Sequence, residues 1–259
     1  MYYKPKKRLG QNFLVDKNIQ KKLVQACNFG PQDTVLEIGA GTGALTSLIA
    51  GQVSKIYALE IDEGLCGHLK SLLQEYPNVE IINQDILRFD FKKHFSKKKV
   101  KILGNIPYYI STPIIERLIN FKQVIGTVFI TVQREFALRI CAASGSKTYG
   151  SLSCFVQYYF KPQIILQIKK NSFFPSPKVD SCFLRLELKK KLPLKKSEEK
   201  LFFRIIRQAF NQRRKTLRNS LKNIIPAEKL QRFLCNFNLD AKIRPEKLTI
   251  QDFVNLTKT

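Results

Sequence analysis

Acidic residues are scarce in this sequence, and their shortage says more about partners than any other feature of the composition. Over 259 residues, 20 Asp and Glu stand against 45 Lys and Arg, which gives a formal net charge of +25. The hydrophobic content of 44% is that of an ordinary globular protein. A chain this basic predicts a polyanionic partner. Nucleic acid is the first expectation, and an anionic membrane is the second.

Histidines and paired cysteines are also few. There are only two histidines, and the six cysteines form no close pair, so neither a disulfide framework nor a metal site is predicted. No apolar run reaches the roughly 18 residues that a membrane span needs, and the first residues lack the apolar core of a signal peptide. We expect a soluble, cytoplasmic protein without membrane attachment, and nothing demands more than a monomer.

Apolar runs of strand length alternate with amphipathic segments through most of the chain. Strands are predicted at 34–38, 55–60, 79–83, 100–103, 126–132, 155–160, 163–168 and 182–188, and helices at 16–27, 44–50, 64–73, 112–119 and 134–142. Strands that alternate with helices predict an α/β fold with a mostly parallel sheet, and we expect the end of the sheet to be antiparallel.

A basic, proline-containing segment at 189–196 predicts a domain boundary. We therefore expect one domain over 1–190 and a small all-helical domain over 191–259. Residues 189–259 hold 19 Lys and Arg against 6 Asp and Glu, a net charge of +13, so the small domain is the more densely basic one. Arg213, Arg214, Lys215 and Arg218 are predicted to grip RNA phosphates there, although a solvated basic face is the alternative for Lys215.

A glycine-rich loop, Glu37-Ile38-Gly39-Ala40-Gly41-Thr42-Gly43-Ala44, follows the first predicted strand. Gly39 and Gly41 would let the backbone approach a ligand at the positive end of the next helix. Glu60 lies about 20 residues further on, where an acid binds ribose hydroxyls. An NAD-dependent enzyme and a methyltransferase both use this arrangement, and a tight turn with surface acids shares the pattern.

Asp85 favours the methyltransferase. It follows the third predicted strand in Asn83-Gln84-Asp85-Ile86, where its carboxylate could accept a hydrogen bond from an adenine amino group. Together with Glu37, it indicates S-adenosylmethionine as the ligand.

The turn Asn105-Ile106-Pro107-Tyr108 follows the next predicted strand and indicates the reaction. The N6 lone pair of adenine is delocalised into the ring until hydrogen-bond acceptors draw the amine toward tetrahedral geometry. The Asn105 side-chain oxygen and the Pro107 carbonyl could accept one N6 hydrogen each. Tyr108 could stack on a base swung out of the RNA. Catalysis would then rest on proximity and electrostatics. The alternative is a turn in which Asn and Pro serve only the backbone conformation.

These motifs, in this order, resemble the small-subunit ribosomal RNA adenine N6,N6-dimethyltransferases over nearly the whole chain. The similar segments are 9–14 (LGQNFL), 37–43, 84–85, 105–108 with 110–113 (ISTP), 145–150 (GSKTYG), 173–181 (FFPSPKVDS) and 209–218 (AFNQRRKTLR). The resemblance implies a Rossmann-like class I S-adenosylmethionine-dependent methyltransferase domain followed by a small helical domain.

The resemblance also implies a substrate and a set of residues. Its substrate would be two adjacent adenosines in a stem-loop near the 3′ end of small-subunit rRNA, each methylated twice at N6 within a pre-assembled subunit. The positions that match the family's S-adenosylmethionine contacts are Asn12, Leu14, Gly39, Glu60, Asp85 and Asn105. Phe173 matches the aromatic that holds the target base against Tyr108, with Phe174 as the alternative one position on.

Ala40, Thr42 and Ile106 depart from the family's more usual residues and also occur in large-subunit methyltransferases of the macrolide-resistance type. Residues 145–150 and 211–218 favour the small-subunit enzymes. A non-catalytic RNA-binding assembly or transcription factor on the same fold is another alternative, which the presence of Asn105 and its neighbours disfavours. An NAD-dependent oxidoreductase would have no use for that turn or for the charge.

Overall fold

The computed structural model describes residues 3–95, 99–212 and 215–259. Its strands are β1 (Phe13–Leu14), β2 (Thr34–Ile38), β3 (Lys55–Glu60), β4 (Val79–Asn83), β5 (Val100–Asn105), β6 (Ile125–Gln133), β7 (Phe160–Ile168), β8 (Phe173–Phe174) and β9 (Ser181–Leu188). Its helices are α1 (Lys17–Cys27), α2 (Thr46–Ile49), α3 (Glu63–Leu72), α4 (Phe91–His94), α5 (Ser111–Asn120), α6 (Arg134–Ile140), α7 (Ser151–Tyr159), α8 (Lys196–Asn211), α9 (Leu217–Leu221), α10 (Ala227–Asn236) and α11 (Ile250–Lys258).

The main sheet has seven strands in the order β4-β3-β2-β5-β6-β9-β7. Strands β2 to β6 pair in parallel, while β6 and β9 are antiparallel, as expected for the end of the sheet. After β2 the chain forms β3 and β4 on one side of β2, and it then crosses to the other side of β2 to form β5 and β6. This reversal creates a crevice at the carboxyl ends of β2, β3 and β5, where open α/β sheets bind their ligands.

Local signals explain where the first helices begin. Asp16 caps α1 by accepting hydrogen bonds from the backbone N–H groups of Asn18 and Ile19, at 3.0 and 3.1 Å. Asp62 caps α3 in the same way, through Gly64 N–H at 3.1 Å. Helix α1 buries one apolar stripe, formed by Leu23, Val24 and Cys27, in the core beside β2 and β3.

The chain divides into two compact units. The first comprises the described residues of Met1–Ala137 with Lys161–Leu188, and the second those of Leu138–Phe160 with Lys189–Thr259. This differs from the predicted division at residue 190, because residues 138–160 pack with the C-terminal helices. Tyr158 and Tyr159 of α7, for example, both donate hydrogen bonds to the Glu199 carboxylate of α8.

The strand predicted at 155–160 is wrong over 155–159, where the structure has helix α7. Cys154, Val156, Tyr158 and Tyr159 are all buried. Because this helix is covered on more than one side, its apolar residues form a continuous run, and such a run cannot be distinguished from a buried strand by periodicity.

Candidate active site

A cavity of about 290 Å³ opens at the carboxyl ends of β2, β3 and β5. It brings together residues that are distant in the sequence but were predicted to act together. The predicted site residues that line it are Asn12, Gly39, Gly41, Glu60, Asp85, Asn105, Pro107 and Tyr108. The register explains their proximity, since Ile38, the last residue of β2, pairs with Leu59 on one side and Gly104 on the other.

Glu60 is held against the glycine loop by two backbone donors. The Gly41 N–H donates to Glu60 Oε2 and the Asp62 N–H to Oε1, both at 2.9 Å. Burial raises the pKa of the Glu60 carboxyl, and the backbone donors oppose that rise. Each carboxylate oxygen keeps a lone pair that could accept a ligand hydroxyl.

Gly41 must be glycine for the loop to take this shape. Its φ is +57°, and a Cβ built there would lie 3.2 Å from Cδ1 of Phe13 in β1. The loop backbone therefore lies directly on the Phe13 ring. Gly39 and Gly41 of the loop line the cavity.

Apolar side chains flank the two cavity acids. Ile61 follows Glu60 and is exposed, and the buried Ile86 follows Asp85. Asp85 is fixed by the Leu87 N–H, which donates to its Oδ1 at 2.9 Å. Apolar side chains next to carboxylates suit a purine, whose faces are apolar and whose edge carries donors. Ile61 was not predicted from the sequence, although its place directly after an acid at a strand end is a usable signal.

Asn105 joins the end of β5 to the N-terminal segment. Its side-chain Nδ2 donates to the main-chain oxygen of Asn12 at 2.9 Å, while Asn12 Nδ2 donates to the Gly10 carbonyl at 3.1 Å. An asparagine whose NH₂ is committed in this way presents Oδ1 as its acceptor on the opposite side of the amide. The side chain of Asn105 is thus oriented by a contact 93 residues away in the sequence.

Pro107 and Tyr108 form the wall beside Asn105. The Pro107 carbonyl accepts a 3.2 Å hydrogen bond from the Ile110 N–H, which leaves its second lone pair available. The Tyr108 hydroxyl lies 2.7 Å from Ser181 Oγ of β9, and this contact fixes the ring. Burial raises the pKa of Tyr108, which therefore stays a neutral phenol.

Asp62 anchors the N-terminal segment that forms one side of the cavity. Lys6 Nζ donates to its Oδ1 at 2.8 Å, and Gln11 Nε2 to its Oδ2 at 3.1 Å. The Tyr3 hydroxyl also donates to Oδ2. Burial by itself would raise the pKa of Asp62, but the donors from Lys6, Tyr3 and Gln11 outweigh it and lower the pKa to about 2.

Comparison with known proteins identifies the family. The model of the ribosomal RNA adenine dimethylase family matches residues 3–259. The chain belongs to the ribosomal RNA adenine dimethylase family.

Named relatives agree with this dimethylase assignment. A protein of Alkaliphilus metalliredigens named ribosomal RNA small subunit methyltransferase A is 40% identical, and the match covers 97% of this chain and 90% of the relative. The crystal structure of a dimethyladenosine transferase from Plasmodium falciparum superposes with a TM-score of 0.83 at 27% identity, over 94% of this chain and 95% of the other. The predicted family, α/β methyltransferase fold, S-adenosylmethionine dependence and rRNA adenine dimethylation are confirmed.

The 23S rRNA methyltransferase ErmE shares the fold of this dimethylase. Its crystal structure superposes with a TM-score of 0.79 at 23% identity, over 95% of this chain and 98% of the other. The architecture is therefore common to enzymes named for different ribosomal RNAs.

Two residues of the dimethylase that were predicted to contact S-adenosylmethionine or the target base, Leu14 and Phe173, do not line the cavity. Leu14 and Phe173 are paired across β1 and β8, are 6% and 3% exposed, and belong to the hydrophobic core. As it lies, the Phe173 ring cannot stack on a base. The neighbouring Phe174, which we gave as the alternative, is 46% exposed. Strand alternation turns these adjacent side chains to opposite faces, and the sequence does not say which face is buried.

The predicted RNA-binding residues lie in the second unit. Lys215 and Arg218 are exposed. Arg213 and Arg214 lie outside the described residues.

Within the described ranges, no group of three or more His, Cys, Asp and Glu side chains could hold a metal ion. Likewise, no helix in those ranges is both long and apolar enough to cross a membrane.

Proposed function

We propose that this dimethylase methylates N6 of two adjacent adenosines in a stem-loop near the 3′ end of small-subunit rRNA, twice each, during late subunit assembly. The relatives about 40% identical to it are named for the small subunit. The observation that carries the proposal is the single cavity that joins Glu60 and Asp85 to the turn Asn105-Ile106-Pro107-Tyr108.

The nucleoside part of the methyl donor fits the side of the cavity next to β2, β3 and β4. S-adenosylmethionine supplies an electrophilic methyl group when bound. Glu60 would accept hydrogen bonds from the ribose hydroxyls and Asp85 from the adenine amine, with Ile61 and Ile86 against the faces of the base. Gly39 and Gly41 leave room for the chain of the ligand to pass close to the loop backbone.

Asn12 and Asn105 would hold the remainder of the donor. They are coupled by the 2.9 Å hydrogen bond between Asn105 Nδ2 and the Asn12 carbonyl. Leu14 would contribute only through the position of its strand, because its side chain is buried in the core.

The acceptor adenine would enter beside Asn105. Asn105 Oδ1 and the free lone pair of the Pro107 carbonyl would accept the two N6 hydrogens and draw the nitrogen lone pair out of conjugation with the ring. Both acceptors are preorganised, Asn105 by Asn12 and Pro107 by the 3.2 Å bond from Ile110. No strong general base is required at this site, since a methylated amine nitrogen that carries positive charge loses its proton readily to water.

Tyr108 would stack on the flipped base, because its ring lines the cavity and is held in place by Ser181. The exposed aromatic of the 173–174 pair is Phe174, which replaces Phe173 as our assignment for a second stacking ring.

The second unit would hold rRNA by its backbone. Lys215 and Arg218 are exposed cations that suit phosphate oxygens. We further propose that a monomer acts in the cytoplasm on a pre-assembled small subunit. We propose no metal requirement, because methyl transfer from a sulfonium needs positioning rather than a Lewis acid.

The decisive experiment is methyl transfer from labelled S-adenosylmethionine to immature small subunits and, in parallel, to large-subunit rRNA precursors. Digestion to nucleosides then identifies the product. We expect N6,N6-dimethyladenosine from the small-subunit substrate alone, at two adjacent positions. Label in the large-subunit RNA alone would instead identify an enzyme of the resistance type, and RNA binding without any transfer would identify a non-catalytic factor.

A further inference from the structure

Helix α8 presents a row of cations on the face opposite the one it buries. Phe202, Ile205, Ile206, Ala209 and Phe210 form the buried face. Lys200, Arg204 and Arg207 follow one another at intervals of four and three residues, so their side chains lie along one line of the helix surface. All three are exposed.

These cations line a groove of about 640 Å³ in the second unit, which we name the α8 groove. Its other polar walls are the amide side chains of Gln208, Asn211 and Asn223. No acidic side chain lines it in the part of the chain that the structure describes. The groove therefore offers guanidinium and ammonium groups for an anion together with amides for neutral polar groups.

Nearby acids do not neutralise the groove. Glu198 Oε2 accepts from the Lys195 N–H at 2.7 Å, within the first turn of α8. The two oxygens of Glu199 accept from the hydroxyls of Tyr158, at 3.3 Å, and Tyr159, at 3.1 Å. Among the described residues, none of the three groove cations has a carboxylate within 4.0 Å.

Like charges three and four residues apart on a helix repel one another, so this row lowers the stability of α8 unless an anion binds it. A fixed aromatic wall adds to the anion-binding groups. The half-buried Phe203 ring lines the groove and stacks on Tyr159 with centroids 5.7 Å apart and planes 24° apart. A ring held from behind is a firm surface for the apolar face of a sugar or base.

We propose that the α8 groove binds a segment of the rRNA backbone, as a contact additional to residues 213–218. Lys200, Arg204 and Arg207 bind phosphate oxygens, and the amides of Gln208, Asn211 and Asn223 bind sugar hydroxyls and bridging polar groups. The mixture of cations, amides and one aromatic favours RNA, because an RNA segment offers phosphates, sugar hydroxyls and base faces to these three kinds of group. This inference rests on the proposed function, because it assigns additional binding contacts to the same rRNA substrate.

The test uses the full chain with K200Q, R204Q and R207Q combined. A matched control combines R232Q, K242Q and K258Q, three exposed cations of the second unit outside the groove, so that both variants lose three charges. Affinity is measured over a series of salt concentrations for immature small subunits and for naked full-length small-subunit rRNA. Circular dichroism and thermal unfolding check that both variants fold.

We expect the groove variant to lose about tenfold or more in affinity for both RNAs, while the control stays within about twofold of the wild type. The slope of log K against log salt should fall in magnitude by about 2 to 3 in the groove variant, since three phosphate contacts are lost. The turnover number at saturating subunit should stay at the wild-type value, with the loss confined to KM.

Equal affinities and slopes for the two variants would overturn the proposal. Weaker binding to subunits with unchanged binding to the naked RNA would overturn it too, and would identify a ribosomal protein as the occupant. Failure of the proposed function has a different signature, because the wild type would then form no dimethyladenosine in small-subunit rRNA, whatever the groove variant does.

Discussion

At the scale of single residues, the site depends on side chains that are oriented by main-chain groups. Glu60 is fixed by the N–H groups of Gly41 and Asp62, and Asn105 by the carbonyl of Asn12. A group held in this way needs little reorganisation when charge changes beside it. Substitutions at these residues therefore test the chemistry of the site, provided that the variant is shown to be folded.

Asn105→Ala should lower the turnover number for methyl transfer by about a hundredfold or more, because it removes the acceptor that we propose for one N6 hydrogen. The measurement is transfer of labelled methyl to immature small subunits under conditions in which the variant is folded. Asn78→Ala is the matched control, since Asn78 Nδ2 also donates to main-chain carbonyls, of Ala50 and Val53, but away from the cavity. Methyl transfer by the Asn105 variant near the wild-type rate would show that Asn105 is not required for the reaction.

Glu37 should make stability depend on pH. Burial raises its pKa from 4.5 to about 8, and the hydrogen bond from Thr46 opposes that rise. The folded state therefore binds this proton more tightly than the unfolded state, so the stabilisation is complete below pH 4.5 and is lost as the pH rises toward 8.

Glu37→Gln should flatten that dependence by up to about 1.4 kcal/mol per pH unit between pH 5 and 8, and should stabilise the protein at pH 8. Urea unfolding at several pH values measures it. Glu80→Gln, at an exposed surface ion pair with Lys55, should leave the slope unchanged. Parallel pH profiles for the wild type and Glu37→Gln would show that Glu37 is ionised in the folded protein.

At the scale of elements, two short pieces of chain outside the main sheet complete the cavity. One is the N-terminal segment, which Asp62 ties to the start of α3. Gly10 allows this segment to approach Tyr109, since its φ is +62° and a Cβ there would lie 3.0 Å from Cε1 of that ring. The other is β1, which pairs with β8 and places Phe13 in the cavity wall.

Asp62→Asn should raise KM for S-adenosylmethionine by about tenfold with a smaller effect on the turnover number, because Asn12 is held less firmly. Initial rates over a range of donor concentrations separate the two constants. Asp33→Asn is the control, since Asp33 accepts from Lys101 Nζ at 2.6 Å outside the cavity. If both variants change KM equally, Asp62 contributes only to general stability.

Phe173→Ala should lower the free energy of unfolding by about 3 kcal/mol, because it empties part of the core. Phe174→Ala should lower it by less than about 1 kcal/mol, because that ring is 46% exposed. Chemical denaturation of both variants provides the comparison. Equal losses of unfolding free energy in the two variants would mean that Phe173 is not more buried than Phe174.

At the scale of the whole molecule, charge is the dominant property. With a net charge of +25, general electrostatic attraction to RNA is expected, so single contacts must be separated from it by their salt dependence. That separation requires variants that lose equal charge at different places.

Lys215→Gln combined with Arg218→Gln should weaken binding to immature small subunits by about tenfold and reduce the salt slope by about 1 to 2, without changing the turnover number. Affinity measured against salt concentration tests this. The control is a pair of exposed cations elsewhere, Lys242→Gln with Lys258→Gln. A reduced turnover number at saturating substrate would instead indicate a role in positioning the base.

Much of this protein followed from local patterns in its sequence. Strands over 34–38, 55–60 and 79–83 were predicted at the boundaries observed, since each is a short run that contains β-branched residues and is bounded by turn residues. The glycine loop, Glu60, Asp85 and Asn105 were identified because parallel strands deliver their carboxyl ends to one edge. The charge of the chain indicated a nucleic acid before any element was assigned.

Only the tertiary structure decided the remainder. Whether residues 155–159 form helix or strand, and whether Phe173 or Phe174 faces the core, depends on what packs against them. The anchoring of Tyr3, Lys6 and Gln11 on Asp62 joins residues 51 to 59 positions apart. Local sequence determines which conformations are favourable, but burial and long-range hydrogen bonds are formed between distant segments, and their energies exist only once the chain has folded.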